Sequence, residues 1–154
     1  MVVIAPAEPQ HVDALAVLLE DLDRYYGTTE FEPLDQRAVQ IREALFGEMP
    51  AASALLAWHE ADLVGMASYS FLWPAAGVTR SLYLKELYVA QGWQRQGIGK
   101  QLMDNLLTVA AKRRCSRVEW TTDRDSKGAQ RFYAELGTPM NEGKLFYRID
   151  LGDA

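Results

Sequence analysis

The chain has one cysteine in 154 residues, Cys115. A single thiol closes no internal disulfide, so the fold has to be held by packing, and the expected compartment is a reducing cytoplasm. There are only two histidines, His11 and His59. They lie far apart without partners at ligand spacing, which argues against a metal site. No run of 18 apolar residues occurs, so no membrane span is expected. The opening stretch MVVIAPAEPQHVD has neither a basic start nor a long apolar core, and is not expected to be a signal peptide. Repeats, low-complexity tracts and evident linkers are missing too. That predicts one domain over residues 1–154, built around one core.

What is present is the mixture of a globular protein, 49% apolar and 24% charged. The net charge of -5 is unevenly spread. Residues 1–50 carry ten acids and three bases, and the remainder eleven acids and thirteen bases. Nucleic acid is a poor partner for the acidic part. A solvated acidic face or a cationic small molecule fits it better.

Hydrophobic spacing gives the element order. Val2 to Ala5 is a short strand. Val12, Leu15, Leu19 and Leu22 form one helical stripe, and Leu34, Ala38, Ile41 and Leu45 form another that starts near Pro33. ASALLAWHE, the turn AD and LVGMASYSFLW read as a hairpin. TRSLYLKELYV is the next strand, with Leu82, Leu84, Glu86 and Tyr88 expected on one face. Ile98, Leu102, Leu106 and Val109 mark a helix, and SRVEWTT a strand. A helix capped by Ser126 should run to about Leu136 and stop at Gly137, before a last strand KLFYRIDL. The fold class is α/β (α+β): a mixed, mostly antiparallel central sheet with helices on both faces.

Between residues 87 and 103 there is no acidic residue. The middle of that stretch, GWQRQGIGK, sits between a strand and a helix. Glycines there let a ligand approach the peptide N–H groups, and a helix start offers unsatisfied donors and partial positive charge. Together these make an anion site, with Arg95 and Lys100 adding charge. A Walker loop fails, because Gln101 takes the hydroxyl position after Lys100. A Rossmann fingerprint fails as well, because Gly97-Ile98-Gly99 is not followed by a glycine at the required place, and the upstream meander disagrees.

What remains is Q-x-x-G-x-G at Gln94, Gly97 and Gly99, after LYLKELYV and before an amphipathic helix. Further on comes SKGAQRFYAELG, with Ala129, Phe132, Tyr133 and Gly137. This block resembles the GNAT superfamily of N-acetyltransferases. It is sharpest over residues 81–137, and LYLKELYV with GWQRQGIGK is similar to the diamine (spermidine/spermine-type) branch. One departure is Ser126, which stands where the family usually has asparagine.

The resemblance implies acetyl-CoA as cosubstrate. Its pyrophosphate would lie on the loop of Gln94, Arg95, Gln96, Gly97, Ile98, Gly99 and Lys100. Its pantetheine arm would pair with the backbone of Leu87, Tyr88 and Val89, with Ser126 and Ala129 contributing from the later helix. Acetyl transfer needs a neutral amine, support for the developing oxyanion and a proton for the departing sulfur. A phenol has a pKa of about 10 and a thiol about 8.5, so Tyr133, placed by the resemblance, is suited to be the general acid. Glu86 is the one acid in the strand beside the loop and is the candidate base; its competing reading is an ion pair. In the family the acceptor side comes from the first two helices, here EDLDRYYGTTEFEPLD, with six acids against Arg24. Asp21, Tyr25, Tyr26 and Glu30 are the candidates there, since carboxylates and aromatics suit an ammonium. The expected acceptor is therefore a small cationic amine. A protein or peptide N-acetyltransferase and a catalytically silent acyl-CoA-binding module are the alternatives. Cys115 sits among Lys112, Arg113, Arg114 and Arg117, but direct attack by the amine leaves it no covalent role. A homodimer is compatible with the resemblance, and the residues do not fix it.

Overall fold

The computed structural model describes residues 1–152. Two compact units divide the chain: Met1–Thr121, and a second that begins at Thr122.

The first unit is built on a five-stranded sheet in the order β1-β2-β3-β4-β5. The strands are β1 (Val2–Pro6), β2 (Ser53–His59), β3 (Asp62–Leu72), β4 (Arg80–Val89) and β5 (Cys115–Glu119). β1 to β4 pair antiparallel, and β5 joins β4 in parallel. That is the mixed, mostly antiparallel sheet expected from the sequence. A parallel pair needs a crossover, and α3 (Ile98–Lys112) supplies it.

The helices α1 (Val12–Tyr25) and α2 (Leu34–Phe46) cover one face. Leu15, Leu18 and Leu22 of α1 pack with Ala54, Leu56, Met66 and Tyr88 of the sheet. Leu56 is fully buried. α3 covers the other face with Ile98, Leu102, Met103 and Leu106. A Cβ added to Gly65 would lie 3.1 Å from the Tyr88 carbonyl oxygen and in contact with Leu102 and Ala57, so a larger residue there would make its neighbours shift by a few tenths of an ångström. No described helix is long and apolar enough to cross a membrane.

One expectation about β4 is corrected. Ser68 pairs with Glu86, but its neighbour Tyr69 pairs with Leu84, so Lys85 has no partner in the register. This bulge changes the phase of the strand. Leu84 and Leu82 face the same way as Tyr69 and Phe71. Glu86 and Tyr88 face the same way as Ser68 and Met66, toward α1. Glu86 therefore does not share a face with Leu82 and Leu84.

The second unit contains α4 (Lys127–Glu135). Ser126 occupies its N-cap position but makes no side-chain capping bond. Instead Gln130 reaches back from within the helix and donates to the Asp123 and Arg124 carbonyls at 3.2 and 2.7 Å. Gly137 adopts φ 82° at the C-terminal end, and Thr138 N–H donates to the Tyr133 carbonyl, as a glycine stop requires. Two strand expectations need correction. SRVEWTT forms a ladder only as far as Glu119. Residues 144–151, KLFYRIDL, form no strand; Leu145, Phe146, Tyr147 and Ile149 are exposed, and no described strand pairs with them. Alternation marks a segment fit for a sheet, but a strand exists only where a neighbour completes its hydrogen bonds.

Candidate functional site

The parallel ladder between β4 and β5 runs from Arg80 to Tyr83 on β4, whereas β4 itself continues to Val89. The ladder stops there because β5 ends at Glu119, the partner of Tyr83. Leu87, Tyr88 and Val89 are paired on the β3 side, with Ala67, Met66 and Gly65. Among the described residues, no strand pairs with their other edge. An open strand edge of this kind presents N–H and C=O groups to an extended ligand.

β4 leads through a 3-10 turn, Gln91–Trp93, into the glycine loop. Trp93 packs against His59 with ring centroids 4.7 Å apart. Gln94 Nε2 donates to the Val89 carbonyl at 3.0 Å, which ties the loop to the strand end. Arg95 and Gly97 both have positive φ, 63° and 81°. Gly97 is the N-cap of α3, and a Cβ there would meet nothing within 4 Å, so the space in front of the helix is open. Gln101 N–H donates to the Gly97 carbonyl at 3.0 Å and closes the first turn. The amides of Ile98, Gly99 and Lys100 lie ahead of that bond, where a helix offers no acceptor of its own. Lys100 is less available than its sequence position suggests, because its Nζ pairs with Asp104 Oδ2 at 2.9 Å.

On the α1 face, Leu15, Leu19, Ile41, Leu45 and Met66 line a cavity of about 260 Å³. Ser68 and half-buried Glu86 contribute its polar lining. Tyr26 Oη donates to Glu86 Oε1 at 3.3 Å. Tyr25 packs edge-on to Tyr26 at 5.5 Å and lies 6.4 Å from the Tyr88 ring. Burial pushes the Tyr88 phenol above its usual pKa, with the charge of Asp21 and Tyr25 acting in the same direction.

The acids of EDLDRYYGTTEFEPLD are less available than their number implies. Arg24 binds Glu20 at 3.0 Å and Asp21 at 2.8 Å. Arg37 binds Asp23 at 2.7 Å and Glu32 at 3.1 Å, tying α1 to α2. Burial works to lower the Arg37 pKa, but its hydrogen bonds to Asp23 and Glu32 more than offset that. The Asp35 carboxylate accepts from the Gln36 amide at 2.9 Å. Glu30 lies on the exposed connection between the helices. Arg37 falls just beyond the acidic stretch, which is why the charge count there was misleading.

Ser126 is the N-cap of α4, and Ala129 and Tyr133 fall four residues apart within the helix, a spacing that shares one face. Tyr133 packs against the Phe132 ring at 5.0 Å. Ser68, Met66, Leu19, Ile41 and Leu45 were not assigned to the site from the sequence. Their signal was available only in pairs, because β2 and β3 bring Ala54 opposite Ser68 and Leu56 opposite Met66.

The chain is 32% identical over 97 residues to an uncharacterized N-acetyltransferase of Mycobacterium tuberculosis, covering 63% of this chain and 59% of the relative. It therefore matches about three fifths of that relative's length. It is 29% identical over 136 residues to a thialysine N-epsilon-acetyltransferase of Mus musculus, with 79% of each covered. An integron cassette protein from the mobile metagenome of V. cholerae superposes with a TM-score of 0.91 at 27% identity, over 98% of this chain and 93% of that one. The family model for acetyltransferases of the GNAT family matches residues 15–138. With that match spanning the open β4 edge, the glycine loop and α4, the chain belongs to the acetyltransferase (GNAT) family.

Proposed function

We propose that the chain is an acetyl-CoA-dependent N-acetyltransferase that acetylates the primary amine of a small acceptor by direct attack in a ternary complex. One observation carries this reading: the open edge of β4 runs straight into a loop whose amides precede the first turn of α3. An extended arm ending in a pyrophosphate fits that sequence of groups. The open space at Gly97 leaves room for phosphate against the backbone.

Acetyl-CoA supplies the activated acetyl group as a thioester. The amides of Ile98, Gly99 and Lys100 hold the diphosphate, with Gln94 fixing the loop and Arg95 and Gln96 flanking it. The backbone at Leu87, Tyr88 and Val89 aligns the arm and offers an N–H to the acetyl carbonyl oxygen. Glu86, oriented by Tyr26, takes the proton that leaves the ammonium, directly or through water. The amine nitrogen then bonds to the acetyl carbon as the carbon–sulfur bond breaks; Tyr133 gives the sulfur its proton, and the second proton shed by the nitrogen returns to the tyrosinate through water. Ser126 and Ala129 are carried over from the family resemblance as cofactor contacts.

The small-amine acceptor is supported by the thialysine specificity in the name of the mouse relative and by the cavity beside Glu86. The test is thiol release from acetyl-CoA with a panel of small amines and N-terminal peptides, with the N-acetyl product confirmed by mass. Turnover of small amines supports the reading. Turnover of peptides alone redirects it to a protein acetyltransferase, and acetyl-CoA binding without release with any amine reduces the chain to a binding module.

A further inference from the structure

We infer that the acceptor is a monoamine on an apolar stem, with the stem in the α1–α2 cavity and the ammonium at Glu86. This rests on the transferase reading above and narrows its substrate. The cavity walls come from Leu15, Leu19, Ile41, Leu45 and Met66, and Glu86 is the one charged residue in its lining among the described residues. An ammonium at Glu86 meets a carboxylate and the hydroxyls of Tyr26 and Ser68. A second ammonium farther along the same molecule would meet leucine and isoleucine instead, and burying an unpaired charge is strongly unfavourable.

Charge nearby does not rescue a polycation. Glu20, Asp21, Asp23 and Glu32 are each engaged in an ion pair with Arg24 or Arg37. The volume of about 260 Å³ is room for a stem of about eight non-hydrogen atoms, at about 30 Å³ for each water-sized group. Phenylalkylamines and medium-length alkylamines have this size and polarity; spermidine and aminoglycosides do not.

The experiment is kcat/KM for an n-alkylamine series from ethylamine to octylamine, alongside phenethylamine, spermidine and lysine. A matching donor series uses acetyl-, butyryl- and hexanoyl-CoA. For the alkylamines kcat/KM should rise about fourfold per methylene until the cavity fills. Leu45→Glu should flatten that rise and leave the KM for acetyl-CoA unchanged. Spermidine or lysine matching the best alkylamine overturns the inference while leaving the transferase reading intact. So does a preference for hexanoyl-CoA, which would assign the cavity to the acyl chain. Absence of thiol release with every amine tested overturns the transferase reading itself, and this inference with it.

Discussion

Tyr26 and Glu86 are sixty residues apart in sequence, yet the Tyr26 hydroxyl donates to the Glu86 carboxylate at 3.3 Å. One comes from the end of the first helix and the other from the middle of the fourth strand. The contact connects the helical cover to the strand whose open edge leads to the glycine loop. It also makes the two side chains separable by mutation.

Glu86→Gln keeps the shape and removes the base. With Glu86 as proton acceptor, kcat/KM at neutral pH should fall about 100-fold or more, and part of the loss should return at alkaline pH, where more of the amine is already neutral. Tyr26→Phe removes only the hydroxyl and should cost about tenfold or less. Equal pH–rate profiles for wild type and Glu86→Gln would remove Glu86 from the mechanism.

Tyr133→Phe should lower kcat about 100-fold and leave the KM of acetyl-CoA nearly unchanged, since the phenol acts on the departing sulfur. A fall in stability with unaltered kcat would instead assign Tyr133 to packing against Phe132. Steady-state kinetics beside a thermal melt separate the two.

Gly97→Ala meets no steric obstacle, because the space around that position is open. Its cost comes from φ 81°, about 1 to 2 kcal/mol for a residue with a Cβ. The substitution should shift the thermal midpoint slightly and weaken CoA binding about tenfold or more by turning the loop amides, as read by calorimetry. Lys100→Ala should weaken it less, because Lys100 is already paired with Asp104.

The link between α1 and α2 should depend on pH. A hydrogen bond to its own backbone, and then its contact with Arg37, hold the Glu32 carboxyl below its ordinary 4.5. A depressed carboxylate pKa adds stability above the unfolded value, and that contribution is lost as pH falls through the folded value. Urea midpoints of wild type and Glu32→Gln should therefore differ at pH 7 and converge below about pH 4. A gap that persists in acid would show that the difference does not come from ionised Glu32.

Most of the first unit was legible in the sequence because its elements satisfy local rules. Leu15 and Leu22 fall at helical spacing, LVGMASYSFLW has strand composition, and Gly97 stands where a helix begins. The final strand was misread for a reason of a different kind. Leu145, Tyr147 and Ile149 alternate as a strand should, but alternation states a preference and a sheet needs a neighbour. The acceptor side was legible in location but not in charge. Arg37 reaches back to Asp23 across fourteen residues, and no local count of acids and bases anticipates that. The cavity walls were hidden because five elements contribute between one and three side chains each.

The unpaired Lys85 has a consequence for parity. In an unbroken strand Glu86 would alternate in step with Leu82 and Leu84, and its carboxylate would turn toward the leucines of α3. One surplus residue moves it to the opposite side of the sheet without altering the leucines before it. Pairing Lys85 in a regular ladder would exchange the sides of everything upstream or everything downstream of that point. The strand would then have to choose between burying its acid and exposing its leucines, and the bulge is what spares it that choice.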